Sequence, residues 1–363
     1  MNKHFIKNIE IKNFKCFENF KAKGFGRVNL IGGKNNVGKT AFMEACYLSQ
    51  SKNTKELFST LLEIKTHRDI INNLLSKTTR EEDIQQLIKD NINIEIFIKG
   101  KGGEHLEEEK DSEGNVHQTY TEWDDGKIKI EIINNKINIF TKYTQLNLIE
   151  YTLNEQYNDD APSTYSYSEL TNKLNLSLDS TKQNFSLNFI SPYSNSNQEL
   201  ENIIGQSKLD SKYNELNEYL STVFNVSSID IIKNKPMLKT DNKFQELSHF
   251  GQGIKTFINI VSSMLLLKDD FIFIDEIENG IHYTNLDKLW EIILTIAKEQ
   301  NVQVFATTHS KECIESYARV AKKLEETDIK FLSLYRNRED ELKSITLDYQ
   351  KIQDRIELGL DNR

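Results

Sequence analysis

The 363-residue chain has only three cysteines, Cys16, Cys46 and Cys313. They are scattered and odd in number, so no disulfide framework is expected, and a reducing, cytoplasmic setting is. Their spacing does not suit a metal-ligand cluster, and all three read as small core residues. Long apolar runs are also missing: none approaches the roughly 20 residues that span a bilayer, so no membrane role is expected. The opening "MNKHFIKNIEIKNF" lacks a continuous apolar stretch, and no secretory signal is read there. Nor is there an excess of positive charge. The formal net charge is −9, which argues against a surface that grips nucleic acid non-specifically. The run "KNFKCFENFKAKGFGR" is locally basic; it reads as the solvated face of early strands, with nucleic-acid binding left open. No internal repeat is visible, and no heptad run is long enough for an extended coiled-coil arm.

What is present begins with alternation. Ile6, Ile9, Ile11, Phe14 and Phe17 are spaced as in short strands. "RVNLI" is a compact, β-branched run ending at glycine, expected to be a buried strand. Phe42, Ala45, Cys46 and Ser49 then recur at helical spacing. Between strand and helix lies Gly33-x-x-x-x-Gly38-Lys39-Thr40, inside "GGKNNVGKT". Average residue usage would produce that pattern by chance on the order of once in a hundred chains of this size. The strand before it and the helix after it make chance rarer still.

A phosphate chain is an array of oxygen acceptors. Glycines let the backbone curl so that successive N–H groups point inward, and the following helix adds its positive N-terminal end. Gly33, Lys34, Asn35, Asn36, Val37, Gly38 and Ala41 would form the cradle. Lys39 would reach the β- and γ-phosphates, and the Thr40 hydroxyl would coordinate Mg²⁺. In "FIFIDEIENGIH" four apolar residues carry a carboxylate to the end of a buried strand. Asp275 would hold Mg²⁺, and Glu276 would orient or deprotonate a water. "VFATTHS" ends another apolar strand at His309, whose imidazole could bond a γ-phosphate. In "ELSHFGQGIKTF", Gly251-Gln252-Gly253 opens a helix; its amides either face an anion or make a plain helix-start turn.

Residues 51–184 differ in character. A polar helical stretch, "KELFSTLLEIKTHRDIINNLL", precedes "NINIEIFIK", in which Ile92, Ile94, Ile96 and Ile98 share one face. "KGKGGEHLEEEKDSEGN" reads as a charged, glycine-punctuated loop, and "KIKIEII" and "INIFTKY" as two strands around a turn. Residues 151–184 look irregular. The block is read as an inserted, β-rich and helical lobe, with 1–50 and 185–363 as the core. In the latter, strands alternate with helices, which predicts an α/β architecture with a mostly parallel sheet covered on both faces.

Together these motifs resemble the ATP-binding cassette class of P-loop ATPases, the heads of the RecF, SMC and Rad50 type and especially the OLD-like ATPases. The resemblance covers about residues 1–50 and 185–363. "IEIKNFKCFENF", "VNLIGGKNNVGKTAFMEA", "FIFIDEIENGIH", "ATTHS" and the ending "RIELGLDNR" carry it. It implies a P-loop NTPase head with an N-terminal antiparallel β portion and an inserted α+β lobe, and it implies ATP as substrate. It also implies two heads that sandwich ATP as a homodimer or larger homo-oligomer, with Gly251, Gln252 and Gly253 of one head acting on the nucleotide of the other. His249 departs from the pattern, which has serine two residues before the first of these glycines; Ser248 is one position off. Gln50 is a candidate for a Mg²⁺-sensing glutamine. His282 falls either in a segment facing the partner head or at a helix start. Short OLD-like ATPases of this layout resemble the ATPase component of phage-defence systems such as PARIS, which implies a separately encoded TOPRIM-type nuclease as effector. The rival implication is a RecF/SMC-like ATPase of DNA repair that binds DNA directly.

Overall fold

The alternation of Ile6, Ile9, Ile11 and Phe14 becomes β1 (Ile6–Phe14), with all four side chains buried. The computed structural model describes residues 5–50, 60, 64, 92–100, 104–110, 116–122, 126–133, 136–142, 187–192, 197–241 and 243–358. The expected helical stretch between 51 and 91, apart from residues 60 and 64, and the irregular segment 151–184 lie outside them. So do the last five residues of the "RIELGLDNR" tail. Contacts divide the chain into two units. One is Lys3–Lys21 with Glu44–Asn184, and the other is Ala22–Met43 with Phe185–Arg363.

The first unit is built on an antiparallel sheet. After β2 (Phe17–Lys23) the chain forms β3 (Val28–Gly33) and α1 (Lys39–Leu48), then β4 (Ile92–Gly100), β5 (Glu104–Lys110), β6 (Val116–Glu122), β7 (Gly126–Ile133) and β8 (Lys136–Lys142). The sheet order is β2-β1-β4-β7-β8. Register sets Ile9 opposite Ile98 and Ile11 opposite Ile96; Ile94 and Ile96 stand opposite Ile130 and Ile128. β5 and β6 form a separate antiparallel ribbon. The expected charged loop across residues 99–115 is therefore partly strand. Backbone N–H and C=O groups exchange bonds whatever the side-chain charge, so polar composition alone does not prevent a ladder.

The second unit holds the parallel sheet. Its further elements are β9 (Phe189–Ile190), α2 (Asn197–Leu209), α3 (Tyr213–Phe224), β10 (Ser228–Ile232), β11 (Lys235–Thr240), β12 (Lys243–Glu246), α4 (Gln252–Leu266), β13 (Phe271–Ile274), α5 (Leu286–Glu299), β14 (Gln303–Thr307), α6 (Lys311–Lys323), β15 (Ile329–Arg336), β16 (Leu342–Asp348) and α7 (Tyr349–Glu357). The six strands run β16-β15-β3-β14-β13-β9. All neighbours are parallel except the edge pair β15–β16. β3, β13 and β14 are buried at every residue, as expected of strands covered on both faces. Asn29, fully buried in β3, is satisfied by Gly26 and by the Val304 carbonyl, so one polar residue enters the core without an orphaned group.

A small antiparallel sheet, β10-β11-β12, completes this unit. Its first turn, Lys233-Asn234, has φ of 52° and 57°. Two consecutive left-handed residues make the turn whose twist suits a hairpin, and asparagine tolerates it well.

Candidate functional site

Parallel strands deliver their C-terminal ends to one edge of the sheet. β3, β14 and β13 are neighbours, so the loop after Gly33, the residues after Thr307 and the residues after Ile274 meet there. In the loop, Gly33 has φ 146°, Asn36 60° and Gly38 87°. A Cβ on Gly33 would lie 2.4 Å from the Leu334 carbonyl oxygen, so only glycine fits between β3 and β15 there. Val37 and Ala41 are buried, while Lys34, Asn35 and Asn36 are exposed. The half-buried Lys39 arches back over the loop. Its Nζ donates to the Gly33 carbonyl at 2.9 Å and to that of Lys34 at 3.0 Å. Burial pushes its pKa below the ordinary lysine value, opposed by the negative charges of Asp275, Glu276 and Glu278. An ammonium partly stripped of water beside an open amide loop is suited to a polyanion.

Thr40 and Asp275 stand together: the threonine hydroxyl donates to Oδ2 at 2.9 Å. Thr307 donates to the other carboxylate oxygen at 2.5 Å and accepts the Glu276 backbone N–H at 2.8 Å. One hydroxyl at the end of β14 thus holds both acidic residues in place. Thr307 was not singled out as a site residue from the sequence; the available signal was a hydroxyl ending the strand next to a carboxylate strand. Glu276 has φ 51°, an uncommon backbone state for glutamate. Non-glycine residues held there recur at functional positions, where surrounding contacts maintain the strain. Among the described residues no group of three or more His, Cys, Asp or Glu side chains could hold a metal ion. A pair such as Thr40 and Asp275 suits Mg²⁺, which keeps waters and takes phosphate oxygens as its remaining ligands.

His309 follows β14. Its backbone N–H donates to Glu278 Oε1 at 3.0 Å, and its Nδ1 is 3.4 Å from the same oxygen. Glu278 was not predicted either. Gly251, Gln252 and Gly253 do open a helix, α4, with Gly251 as its N-cap. They pack on the turn after Asp275: a Cβ on Gly253 would lie 2.1 Å from the Gly280 carbonyl oxygen. Gly251 and Gln252 remain exposed, as do Ser248 and His249. Gln50 donates to its neighbour Ser49. His282 caps the short turn Tyr283–Asn285, its Nδ1 2.8 Å from the Thr284 hydroxyl, as in the helix-start reading. Cys46 and Cys313 are buried, and Cys16 is partly so.

A sequence profile of the family described as "AAA domain, putative AbiEii toxin, Type IV TA system" matches residues 62–315. An ATP/GTP phosphatase of Helicobacter pylori is 25% identical over 339 residues, covering 87% of this chain and 88% of that protein. In solved structures, the SMC head bound to the C-terminal winged-helix domain of ScpA matches with a TM-score of 0.51 at 12% identity. That match covers 96% of this chain and 99% of the other. At that identity the likeness concerns the fold: an α/β ATPase-head architecture with a mostly parallel sheet and additional antiparallel strands, as the motifs led one to expect.

Proposed function

The chain belongs to the AAA-domain family whose profile it matches, and from that premise we propose that it is a Mg²⁺-dependent ATPase that changes conformation or assembly with nucleotide state. The single observation that supports this most is the Thr40–Asp275 hydrogen bond of 2.9 Å beside a lysine folded over a glycine loop. Gly33 to Ala41 hold the triphosphate through backbone N–H groups and the N-terminus of α1. Lys39 leaves its two carbonyls for phosphate oxygens. Thr40 and Asp275 hold the metal, which when bound neutralises charge on the phosphates. Glu276, fixed through its own N–H on Thr307, orients and deprotonates the attacking water. His309 meets the γ-phosphate. The exposed Gly251–Gln252 corner is the surface that a second copy's nucleotide would meet, and the homologous phosphatase agrees with hydrolysis of a nucleoside triphosphate.

Calorimetry and phosphate release test this. Lys39→Ala should bind no ATP. Glu276→Gln should bind ATP and hydrolyse it far more slowly; normal turnover in that variant refutes the assignment of the base.

For the biological role, the reading is an OLD-like, cytoplasmic regulator of anti-phage defence that controls a separately encoded TOPRIM-type nuclease. The net charge of −9 agrees with a protein partner better than with broad DNA binding. The locally basic opening favours a second reading, a RecF/SMC-like ATPase driven by DNA. Steeply salt-dependent stimulation by DNA would select the second. Indifference to DNA, with co-purification of a nuclease subunit, would select the first.

A further inference from the structure

Glu278 has three relations that its place in the sequence does not require. Its Oε1 accepts the His309 backbone N–H at 3.0 Å and lies 3.4 Å from the ring Nδ1. Its charge acts on Lys39 together with those of Asp275 and Glu276. Its second oxygen, Oε2, is buried without a hydrogen-bond partner. The side chain is only 11% exposed, and it lines a cavity of about 360 Å³ with Tyr283, Ser310 and Glu312. A buried carboxylate oxygen left unpaired costs stability, more so when the group is charged. Among the buried side-chain atoms without a partner, Glu278 Oε2 is the only carboxylate oxygen of the described residues, and a buried charge of that kind calls for a role.

We propose that Glu278 is a positioning residue for His309, a role that rests on the ATPase reading above. Two acceptors facing each other repel, so the ring nitrogen beside Glu278 carries its hydrogen there. The backbone bond and the ring contact share one oxygen. They therefore fix both the start of the loop after β14 and the plane of the imidazole. Nε2 is then the nitrogen left for the nucleotide. A phosphate oxygen accepts only from a nitrogen that carries hydrogen, so in the nucleotide-bound state the ring donates from both nitrogens, one toward Glu278 and one toward the phosphate. Glu278 itself touches no phosphate; it acts through His309. The same turn packs on the start of α4 through Gly280 and Gly253. The carboxylate is thereby held from its own side as well.

The test compares Glu278→Ala, Glu278→Gln, His309→Ala and the Glu278→Ala/His309→Ala double variant of the full chain, with Lys39→Ala as the blank. Glu278→Ala should lower kcat by about 10–100-fold, by analogy with the loss on removing the carboxylate that orients a metal-bound histidine, with KM for ATP changed by less than about threefold. Glu278→Gln keeps the acceptor and should recover part of the loss. In the His309→Ala background, adding Glu278→Ala should cost little more, because the two act as one unit. Independent of turnover, ¹⁵N spectra of the nucleotide-free protein should show the His309 hydrogen on Nδ1 in the wild type and its redistribution in Glu278→Ala. Equal losses from Glu278→Ala with and without His309, or an unchanged His309 spectrum, would overturn the assignment. A wild type with no activity above the Lys39→Ala blank would remove the ATPase reading and this role with it. An active wild type with a fully active Glu278→Ala would remove this role alone.

Discussion

The parallel and antiparallel sheets of this chain are both laid down by β-branched, apolar strands, yet the candidate site belongs to the first. The reason is direction. β3, β13 and β14 run the same way, so Gly33, Asp275 and Thr307 arrive at one edge, where Asp275 is hydrogen-bonded to both Thr40 and Thr307. In β1, β4, β7 and β8 successive neighbours reverse, and their ends scatter to opposite edges. A parallel sheet concentrates chemistry at its C-terminal edge; an antiparallel one supplies ladder and packing.

The largest expected effects would break this comparison at once. Lys39→Ala should abolish ATP binding, and Glu276→Gln should lower kcat by about 10²–10⁴-fold with binding retained, measured by phosphate release. Activity surviving both would mean that the parallel edge is not the reactive one. Next is a core residue of the antiparallel sheet. Ile11 is 0% exposed, and Ile11→Ala should cost about 2–5 kcal/mol in urea unfolding. Turnover per folded molecule should stay within about twofold. A fall in kcat beyond that would show that the antiparallel sheet does more than support.

Smaller in expectation is Gly253→Ala. The added Cβ would meet the Gly280 carbonyl oxygen, and relief of that clash should cost about 1–3 kcal/mol by thermal or chemical unfolding. No loss would mean that α4 and the Gly280 turn are free to separate. The smallest effect concerns the helical layer. The Arg319 guanidinium, with help from the Ser316 hydroxyl, holds the Asp287 carboxyl below its ordinary value, and burial opposes this. A depressed folded value means a stabilisation present above about pH 4, lost as pH falls through the lower folded value. The Asp287 side chain is 46% exposed, so Asp287→Asn should flatten the acid limb by less than about 1 kcal/mol and leave ATP turnover untouched.

Much of this was legible in one dimension, because the signals are local. A glycine loop between strand and helix, and apolar strands ending in acid or histidine, are covalent patterns, and Lys39, Thr40 and Asp275 came from them. The misses share a different cause. Glu104–Lys110 looks like a loop because its charges say nothing of the partner strand 116–122. Thr307 offers only a hydroxyl at a strand end and Glu278 no signature of its own, since each acts through a residue about thirty positions away.

By itself the sequence determined the phosphate loop, the alternation of strands and helices around it, and which strands are apolar throughout, because backbone curvature and burial follow from residue type and spacing. Only the tertiary structure decided that Thr307 clamps both acids, that Glu278 grips His309, and that Gly253 rests on Gly280. Those are contacts between distant segments, fixed by which strands lie side by side, and strand neighbourhood is not written in any single stretch of chain.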